Sequence, residues 1–107
     1  MKRVVHVLPA ADRDIERCFC YLRDESGLDR AFRFLQGLQD SFDLIQLMPF
    51  VGSPRNFSRL RARSLRKWPV KGFKDILIFY KVTKDHIEVS RILHTKRDIQ
   101  TILDDQN

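Results

Sequence analysis

The sequence predicts a single α+β domain in which a two-helix hairpin packs on a mostly antiparallel sheet. The predicted order is β-α-α-β-β-β, followed by a short C-terminal helix. Two amphipathic helical patterns are separated by a Ser-Gly break, and a nearly all-apolar strand is followed by a strand of alternating polarity. The apolar faces of two such helices need a sheet to cover them. Because 107 residues can bury only one modest core, we expect residues 1–107 to form one domain.

The first half of the chain begins with a short strand over residues 3–8 and continues into a helix. Pro9 suits the first turn of that helix, and Asp12 and Asp14 lie near the positive end of its dipole. Apolar side chains recur at helical spacing through about residue 24, and the Ser-Gly pair at 26–27 ends the helix.

The second helix has the clearer pattern. Asp29 can open it, and one apolar stripe follows for nearly five turns: Ala31, Phe34, Leu35, Leu38, Phe42, Ile45 and Met48. Gly37 lies inside this helix, where glycine costs about 1 kcal/mol relative to alanine. We therefore expect the two helices to approach each other closely at Gly37.

The second half of the chain reads as three strands and a final helix. Residues 49–54 form a loop, strand character resumes over residues 60–70, and residues 71–75 form a turn. Residues 76–82 have the composition of a strand buried on both faces. The next strand begins with alternation, as a half-exposed strand would, and residues 98–103 predict a short helix.

The net charge of +6 is concentrated in one segment. Residues 55–74 contain eight basic side chains and no acidic one, whereas acidic side chains outnumber basic ones by one on either side. Such a segment attracts an acidic partner, either nucleic acid or an acidic protein segment. The alternative is a solvated loop and edge strand kept soluble by charge. We favour an interaction surface, because charge that serves solubility alone is normally interspersed with acids.

The composition indicates a cytoplasmic protein with no cofactor and no contact with a membrane. The apolar stretch at the N-terminus ends at Pro9, which is unlike a signal peptide, and no apolar run approaches the roughly 20 residues of a membrane span. Cys18 and Cys20 diverge by about 200° on a helix, so we expect reduced, partly buried thiols. No histidine stands at ligand spacing from them, so we expect no metal site.

The chain resembles the RelE/ParE superfamily of toxins from type II toxin–antitoxin systems, and the resemblance covers essentially its whole length. The order of elements is that of the superfamily, and five motifs carry the resemblance. They are Ala11-x-x-Asp14-Ile15, Phe42-x-x-Ile45-x-x-x-Pro49-x-x-Gly52, Leu65-Arg66, Ile76-Leu-Ile-Phe-Tyr80 and Arg91-x-Leu93-His94-x-x-Arg97-Asp98.

The resemblance implies a toxin that is neutralised by an acidic antitoxin. The C-terminal segment of the antitoxin wraps the toxin, and the toxin contacts operator DNA only through the antitoxin. ParE-like members, associated with plasmid stabilisation, inhibit DNA gyrase by binding. RelE-like members cleave mRNA in the ribosomal A site. We expect a ParE-like toxin, because no Asp or Glu occurs from Leu44 to Lys74, where Glu-dependent nucleases carry their base, and because Thr95 replaces the Tyr of a His-Tyr ending. Lysine-dependent cleavage through Lys67 or Lys71, and a non-toxic relative acting only in the antitoxin complex, are the alternatives.

The candidate surface for the target or the antitoxin consists of Arg61, Arg63, Arg66, Lys67, Trp68, Arg91 and Arg97. Arg66 matches the central-strand arginine of the superfamily, and Arg66 and Arg91 are the first candidates within this set. If the chain is a nuclease, the candidate catalytic residues are Arg66, Arg91, His94 and Lys67.

Three of these residues have alternative interpretations. Arg91 breaks the alternation of its strand, which predicts a β-bulge, a groove entered by a partner's carboxylate, or a salt bridge to Asp75 or Asp98. His94 is either an acid–base group or a strand-end histidine paired with Asp98 or a backbone carbonyl. Trp68 either packs on the sheet edge or stacks on a base.

Overall fold

The computed structural model describes residues 2–54, 65–97 and 99–104. The elements of these residues are β1 (Val4–Val7), α1 (Pro9–Ser26), α2 (Leu28–Leu47), β2 (Ser53–Pro54), β3 (Arg66–Val70), β4 (Phe73–Val82), β5 (His86–His94) and α3 (Ile99–Asp104). This is the predicted α+β order with one addition, because the two-residue strand β2 lies within the segment 49–54 that was expected to be a loop.

The strands form one sheet in the order β1-β5-β4-β3-β2. β1 runs parallel to β5, and the other neighbouring strands are antiparallel, so the prediction of a mostly antiparallel sheet is confirmed. Gly27, with φ 93°, separates α1 from α2 and allows the tight reversal of the helix hairpin. The predicted break at residues 26–27 is therefore confirmed.

The sheet is buried on both faces near its centre. On the face toward α1 and α2, the main core contains Phe34, Ile45, Ile78 and Tyr80. A smaller core contains Phe79, which lies between Ile78 and Tyr80 on β4 and so points to the opposite face. Residues of α3 contribute to this second core. The prediction that β4 is buried on both faces is confirmed.

Three sequence-based boundaries or exposures differ from the structure. The start of β5 alternates as predicted, with Ile87 and Val89 buried and Glu88 half-buried, but the strand is more buried than a half-exposed one. It lies between β1 and β4, and two cores cover its faces. The turn predicted over residues 71–75 is shorter, since β4 begins at Phe73 and only Lys71 and Gly72 form the turn. Of the strand predicted over residues 60–70, the structure describes residues 65–70, and β3 begins at Arg66.

The close approach at Gly37 occurs, but the partner is not the other helix. A Cβ atom on Gly37 would lie 2.2 Å from the backbone oxygen of Lys71, in the β3–β4 turn. The hydroxyl of Ser41 donates to the Gly37 carbonyl at 2.7 Å and accepts the Lys71 N–H at 2.9 Å. The expectation of a close helix–helix approach at Gly37 was wrong, because the sequence pattern of α2 indicates a close contact but not which element makes it.

Candidate functional site

Arg91 lies next to a β-bulge, which is one of the three alternatives that its position predicted. On β4 the adjacent residues Phe79 and Tyr80 face Arg91 and Val89 respectively, so Ser90 is the additional residue on β5. The bulge shifts the phase of the strand, which explains why Ile87 and Val89, and then Ile92, contribute to the same core.

The bulge holds a buried ion pair with helix α1. Arg91 donates from Nε to Oδ2 of Asp14 at 2.6 Å and from its terminal Nη2 to Oδ1 at 2.9 Å. The backbone N–H of Ile92 also donates to Oδ2, at 3.0 Å. The side chain of Asp14 is 2% exposed and that of Arg91 15%. The described partner is Asp14 and not the predicted Asp75, since the packing of α1 on β5 brings together residues that are 77 positions apart. The alternative partner, Asp98, lies outside the described residues.

His94 ends β5 and lies opposite Ile76. Its Nδ1 accepts the backbone N–H of Lys96 at 3.1 Å, and its ring meets that of Tyr21 edge-on, with 6.5 Å between centroids. The structure therefore gives His94 a backbone donor, whereas a carbonyl or Asp98 was expected. Asp98 lies outside the described residues.

A pocket of about 230 Å³ lies between α1 and the end of β5, and we refer to it as the α1–β5 pocket. Ile76 and Ile92 contribute apolar lining, and Asp14 is the acidic residue beside it. The polar and cationic side chains around it are Arg17, Cys18, Tyr21, His94, Lys96 and Arg97. Since Asp14 is already paired with Arg91, the free charge at this pocket is positive, and the pocket suits an apolar side chain flanked by carboxylates or a base flanked by phosphates.

The thiol of Cys18 in this pocket is poorly ionised. Burial, and secondarily the charge of Asp14, raise the pKa of Cys18 from 9.0 to about 11. In a Cys20→Ser variant, we expect Cys18 to react with iodoacetamide near neutral pH about 100-fold more slowly than a thiol of ordinary pKa, because the thiolate fraction falls tenfold per unit. The rate should rise with pH until about 11. Mass spectrometry of the alkylated protein measures it, and the same protein in denaturant is the control. Equal rates in the two conditions would contradict the assignment.

A larger groove, of about 670 Å³, lies between the helix hairpin and the β3–β4 turn. It shares Tyr21, Ile76 and His94 with the α1–β5 pocket, so the two adjoin each other. Trp68 lines this groove and packs against the main core, which agrees with the prediction that it packs on the sheet. Lys71 lies at its rim, 3.8 Å from a carboxylate oxygen of Asp40.

Arg66 and Lys67 lie on β3, on the other side of β4 from Arg91. Arg66 faces Tyr80, and its Nη1 donates to the carbonyl of Gly52 at 2.7 Å. Lys67 faces Phe79 on the next register pair, so its side chain starts from the opposite face of the sheet. Because two strand spacings separate β3 from β5, the backbones of Arg66 and Arg91 lie roughly 10 Å apart.

The sequence-predicted residues are therefore only partly brought together. His94 and Arg97 line the α1–β5 pocket, whereas Arg91 pairs with the buried carboxylate beside it and Arg66 binds a loop carbonyl elsewhere. Arg61 and Arg63 lie outside the described residues. Their roles in binding remain predictions.

Sequence reasoning missed the role of Asp14. The signal was present, because Asp14 is in helical phase with Ala11, Cys18 and Leu22, which face the core. An acidic residue on an apolar helix face indicates a buried partner of opposite charge. The residue that supplies this charge could not be read from α1 alone.

The structure adds no metal site or membrane segment within its described ranges. No group of three or more His, Cys, Asp or Glu side chains there could hold a metal ion. Among those same residues, no helix is both long and apolar enough to cross a membrane.

Comparison with known proteins identifies the family. Two solved structures share the fold, each at 14% sequence identity: one described as the chromosomal ParDE toxin–antitoxin system from P. aeruginosa, the other as the E. coli DinJ–YafQ toxin–antitoxin complex. The first has a TM-score of 0.70 and covers 87% of this chain and 96% of the matched one; the second has a TM-score of 0.60, with 90% and 96% covered. No curated protein matches the chain significantly. The family described as "ParE toxin of type II toxin-antitoxin system, parDE" matches residues 5–99, and the chain belongs to this family of type II toxins.

Proposed function

We propose that this protein is a cytoplasmic, single-domain toxin that inhibits DNA gyrase by binding to it and is neutralised by an acidic antitoxin. Family membership supports the class of toxin, and the resemblance to ParE-like members supports gyrase as the target. The observation that carries the choice of binding over cleavage is the ion pair between Asp14 and Arg91.

Cleavage of RNA through the 2′-hydroxyl requires a base, an acid and cations at the phosphorane. Asp14 and Arg91, the buried acid and cation beside the pocket, are bonded to each other, so neither charge is available to a substrate. Arg66 is bound to the carbonyl of Gly52 on the far side of β4. His94 has a backbone donor on Nδ1, and no carboxylate hydrogen bond to its ring is present among the described residues. The nuclease set Arg66, Arg91, His94 and Lys67 is thus dispersed, which favours binding.

The cationic side chains around the α1–β5 pocket suit the acidic segment of an antitoxin. Arg17, Lys96 and Arg97 offer three cations beside apolar lining, which complements carboxylates placed next to an apolar side chain. We propose that the antitoxin occupies this pocket and the adjoining groove, and that it brings the complex to operator DNA.

Gyrase inhibition is tested with purified protein and reconstituted gyrase in a supercoiling assay. We expect the free protein to inhibit supercoiling and an equimolar amount of the cognate antitoxin to restore it. After induction of the protein alone, cells should filament with DNA damage, and primer extension should detect no new mRNA 5′ ends.

The matched variants for the antitoxin pocket are Lys96→Ala with Arg97→Ala, against Lys84→Ala on the exposed β4–β5 turn. We expect the double variant to weaken antitoxin binding and the Lys84 variant to leave it unchanged. If new mRNA 5′ ends appear and supercoiling is unaffected, the protein is a RelE-like mRNA endoribonuclease and not a gyrase inhibitor. If cells grow without arrest or DNA damage after induction, the protein is a non-toxic relative that acts only in the antitoxin complex.

A further inference from the structure

The C-terminal end of α2 displays a group of apolar side chains next to two arginines. Leu47, Met48 and Phe50 are each more than half exposed. The guanidinium of Arg66 lies 4.9 Å from the centre of the Phe50 ring, and that of Arg3 lies 6.0 Å from it. We call these five residues the Phe50 patch. None of them lines the α1–β5 pocket or the adjoining groove.

The backbone beneath the Phe50 ring is held in place by hydrogen bonds. The buried hydroxyl of Tyr80 donates to the carbonyl of Pro49 and accepts the N–H of Gly52, both at 2.8 Å. Burial raises the pKa of Tyr80, so the hydroxyl retains the proton that it donates. Gly52 has no room for a side chain, since a Cβ would lie 2.4 Å from the Tyr80 oxygen. An exposed aromatic ring is thus presented on a fixed loop.

This arrangement favours association, because a preorganised loop loses little conformational freedom when a partner binds. Aromatic side chains, Met and Arg are the residue types enriched at the centres of protein interfaces. The side chains of Leu47, Met48 and Phe50 are exposed here, and Arg3 and Arg66 are half-buried beside them. A contiguous exposed apolar group of this kind is typical of an interaction site.

The charge of the patch defines its partner. Arg3 and Arg66 have no ion pair with a carboxylate in the described part of the chain. No acidic residue occurs from Leu44 to Lys74, so the sequence around the loop supplies none either. Arg3 and Arg66 each donate to a backbone carbonyl, of Thr83 and of Gly52, but their positive charge is not neutralised by a described carboxylate. A partner that brings negative charge next to an apolar side chain therefore complements the patch.

We infer that the Phe50 patch docks a segment of the toxin's target protein in which an apolar side chain is flanked by carboxylates. The apolar side chain packs on Phe50, Leu47 and Met48, and the carboxylates meet Arg3 and Arg66. The inference rests on the proposed function for the existence of a protein target. It places that target on a surface separate from the pocket proposed for the antitoxin.

A protein segment fits this patch better than nucleic acid does. The side chains of Leu47 and Met48 offer no hydrogen bond to a phosphate or a base edge, and both are more than half exposed. These aliphatic groups gain most from contact with another apolar side chain.

The test compares Phe50→Ala with Phe32→Ala, because the two rings are similarly exposed, at 62% and 57%, and lie far apart: Phe32 is near the start of α2, and Phe50 follows its end. The readouts are growth arrest on induction, the concentration that half-inhibits purified gyrase, and affinity for purified antitoxin by calorimetry. Loss of an interface anchor should raise the half-inhibitory concentration about 30-fold and abolish growth arrest. Phe32→Ala should retain toxicity, and both variants should keep the antitoxin affinity of the unsubstituted protein, which also verifies folding.

The charge of the partner is tested with Arg3→Glu against Lys2→Glu, which makes the same charge change one residue away. We expect Arg3→Glu to weaken gyrase inhibition about tenfold and Lys2→Glu to change it by less than about twofold. Equal effects of the two would overturn the assignment of carboxylates to the partner.

The outcomes separate this inference from the proposed function. If the protein arrests growth but leaves gyrase unaffected, gyrase is the wrong target. In that case the inference stands if Phe50→Ala abolishes growth arrest and Phe32→Ala does not. It is overturned if Phe50→Ala still arrests growth. Unchanged toxicity of Phe50→Ala, or an equal loss of antitoxin affinity, overturns the patch as a target site. If the protein binds a labelled single-stranded RNA and Phe50→Ala abolishes this binding, the partner of the patch is nucleic acid and not a protein segment. A protein that arrests no growth would overturn the inference as well.

Discussion

Replacing Arg91 with alanine should lower the free energy of unfolding by about 3–5 kcal/mol. The side chain of Asp14 is 2% exposed, so the substitution would leave a buried carboxylate without the guanidinium that donates to both of its oxygens. Among the residues that the structure describes, the carboxylate would keep the Ile92 N–H and a distant arginine at 3.9 Å. Urea denaturation followed by circular dichroism measures the loss.

Arg17 provides the matched control for this experiment. Its guanidinium approaches the same carboxylate, but at 3.9 Å and with 60% of its side chain exposed. Because exposed ion pairs contribute little, Arg17→Ala should cost less than about 1 kcal/mol. The double variant Asp14→Ala with Arg91→Ala should be more stable than the sum of the single effects predicts. Equal costs for Arg17→Ala and Arg91→Ala would contradict the structural role of the pair.

This stability effect decides how Arg91 can be used as a functional probe. A substitution of Arg66 and Arg91 together would lower the stability of the fold as well as change the surface, so a loss of toxicity would not locate a binding surface. The exposed residues Lys96 and Arg97, and the matched phenylalanines, test binding without removing a buried charge partner.

Replacing Gly37 with alanine should destabilise the protein by about 1–3 kcal/mol, although alanine is the better helix former. The new Cβ would lie 2.2 Å from the Lys71 backbone oxygen, and a backbone atom in a tight turn cannot move aside as a flexible side chain can. The hydrogen bonds that Ser41 makes to Gly37 and Lys71 would be displaced together. Thermal denaturation measures the change.

Arg33→Ala is the control, since Arg33 is exposed one turn earlier on the same helix. We expect it to change the free energy of unfolding by no more than about 0.5 kcal/mol. Stabilisation by Gly37→Ala, as helix propensity alone predicts, would mean that α2 and the β3–β4 turn are farther apart than described.

The element order was predictable because local patterns specify it. The apolar stripe of α2 has the helical period, and the short run of residues 76–82 has the β-branched and aromatic composition of a buried strand. Strand β2 was missed because two residues containing a proline have no periodicity, and its pairing with Lys67 and Arg66 comes from the sheet. The exposure of β5 was misjudged because burial depends on what covers a strand.

The candidate site was predictable in its residue types and less so in its geometry. His94 and Arg97 were identified from the closing motif, and both line the α1–β5 pocket. Arg91 was identified as unusual because it interrupts alternation, and the bulge explains that interruption. Its partner, Asp14, and the exposed position of Phe50 were not inferred, since neither follows from residues near them in sequence.

The sequence by itself determined the class of fold, the family resemblance and the concentration of positive charge in residues 55–74, because each depends on residues close together in the chain. Only the tertiary structure decided which charges are available to a partner. Packing of α1 on β5 neutralises Arg91 with Asp14, whereas Arg17, Lys96 and Arg97 remain around an open pocket. The physical reason is that an ion pair forms through space, between residues whose separation in sequence carries no information about their distance.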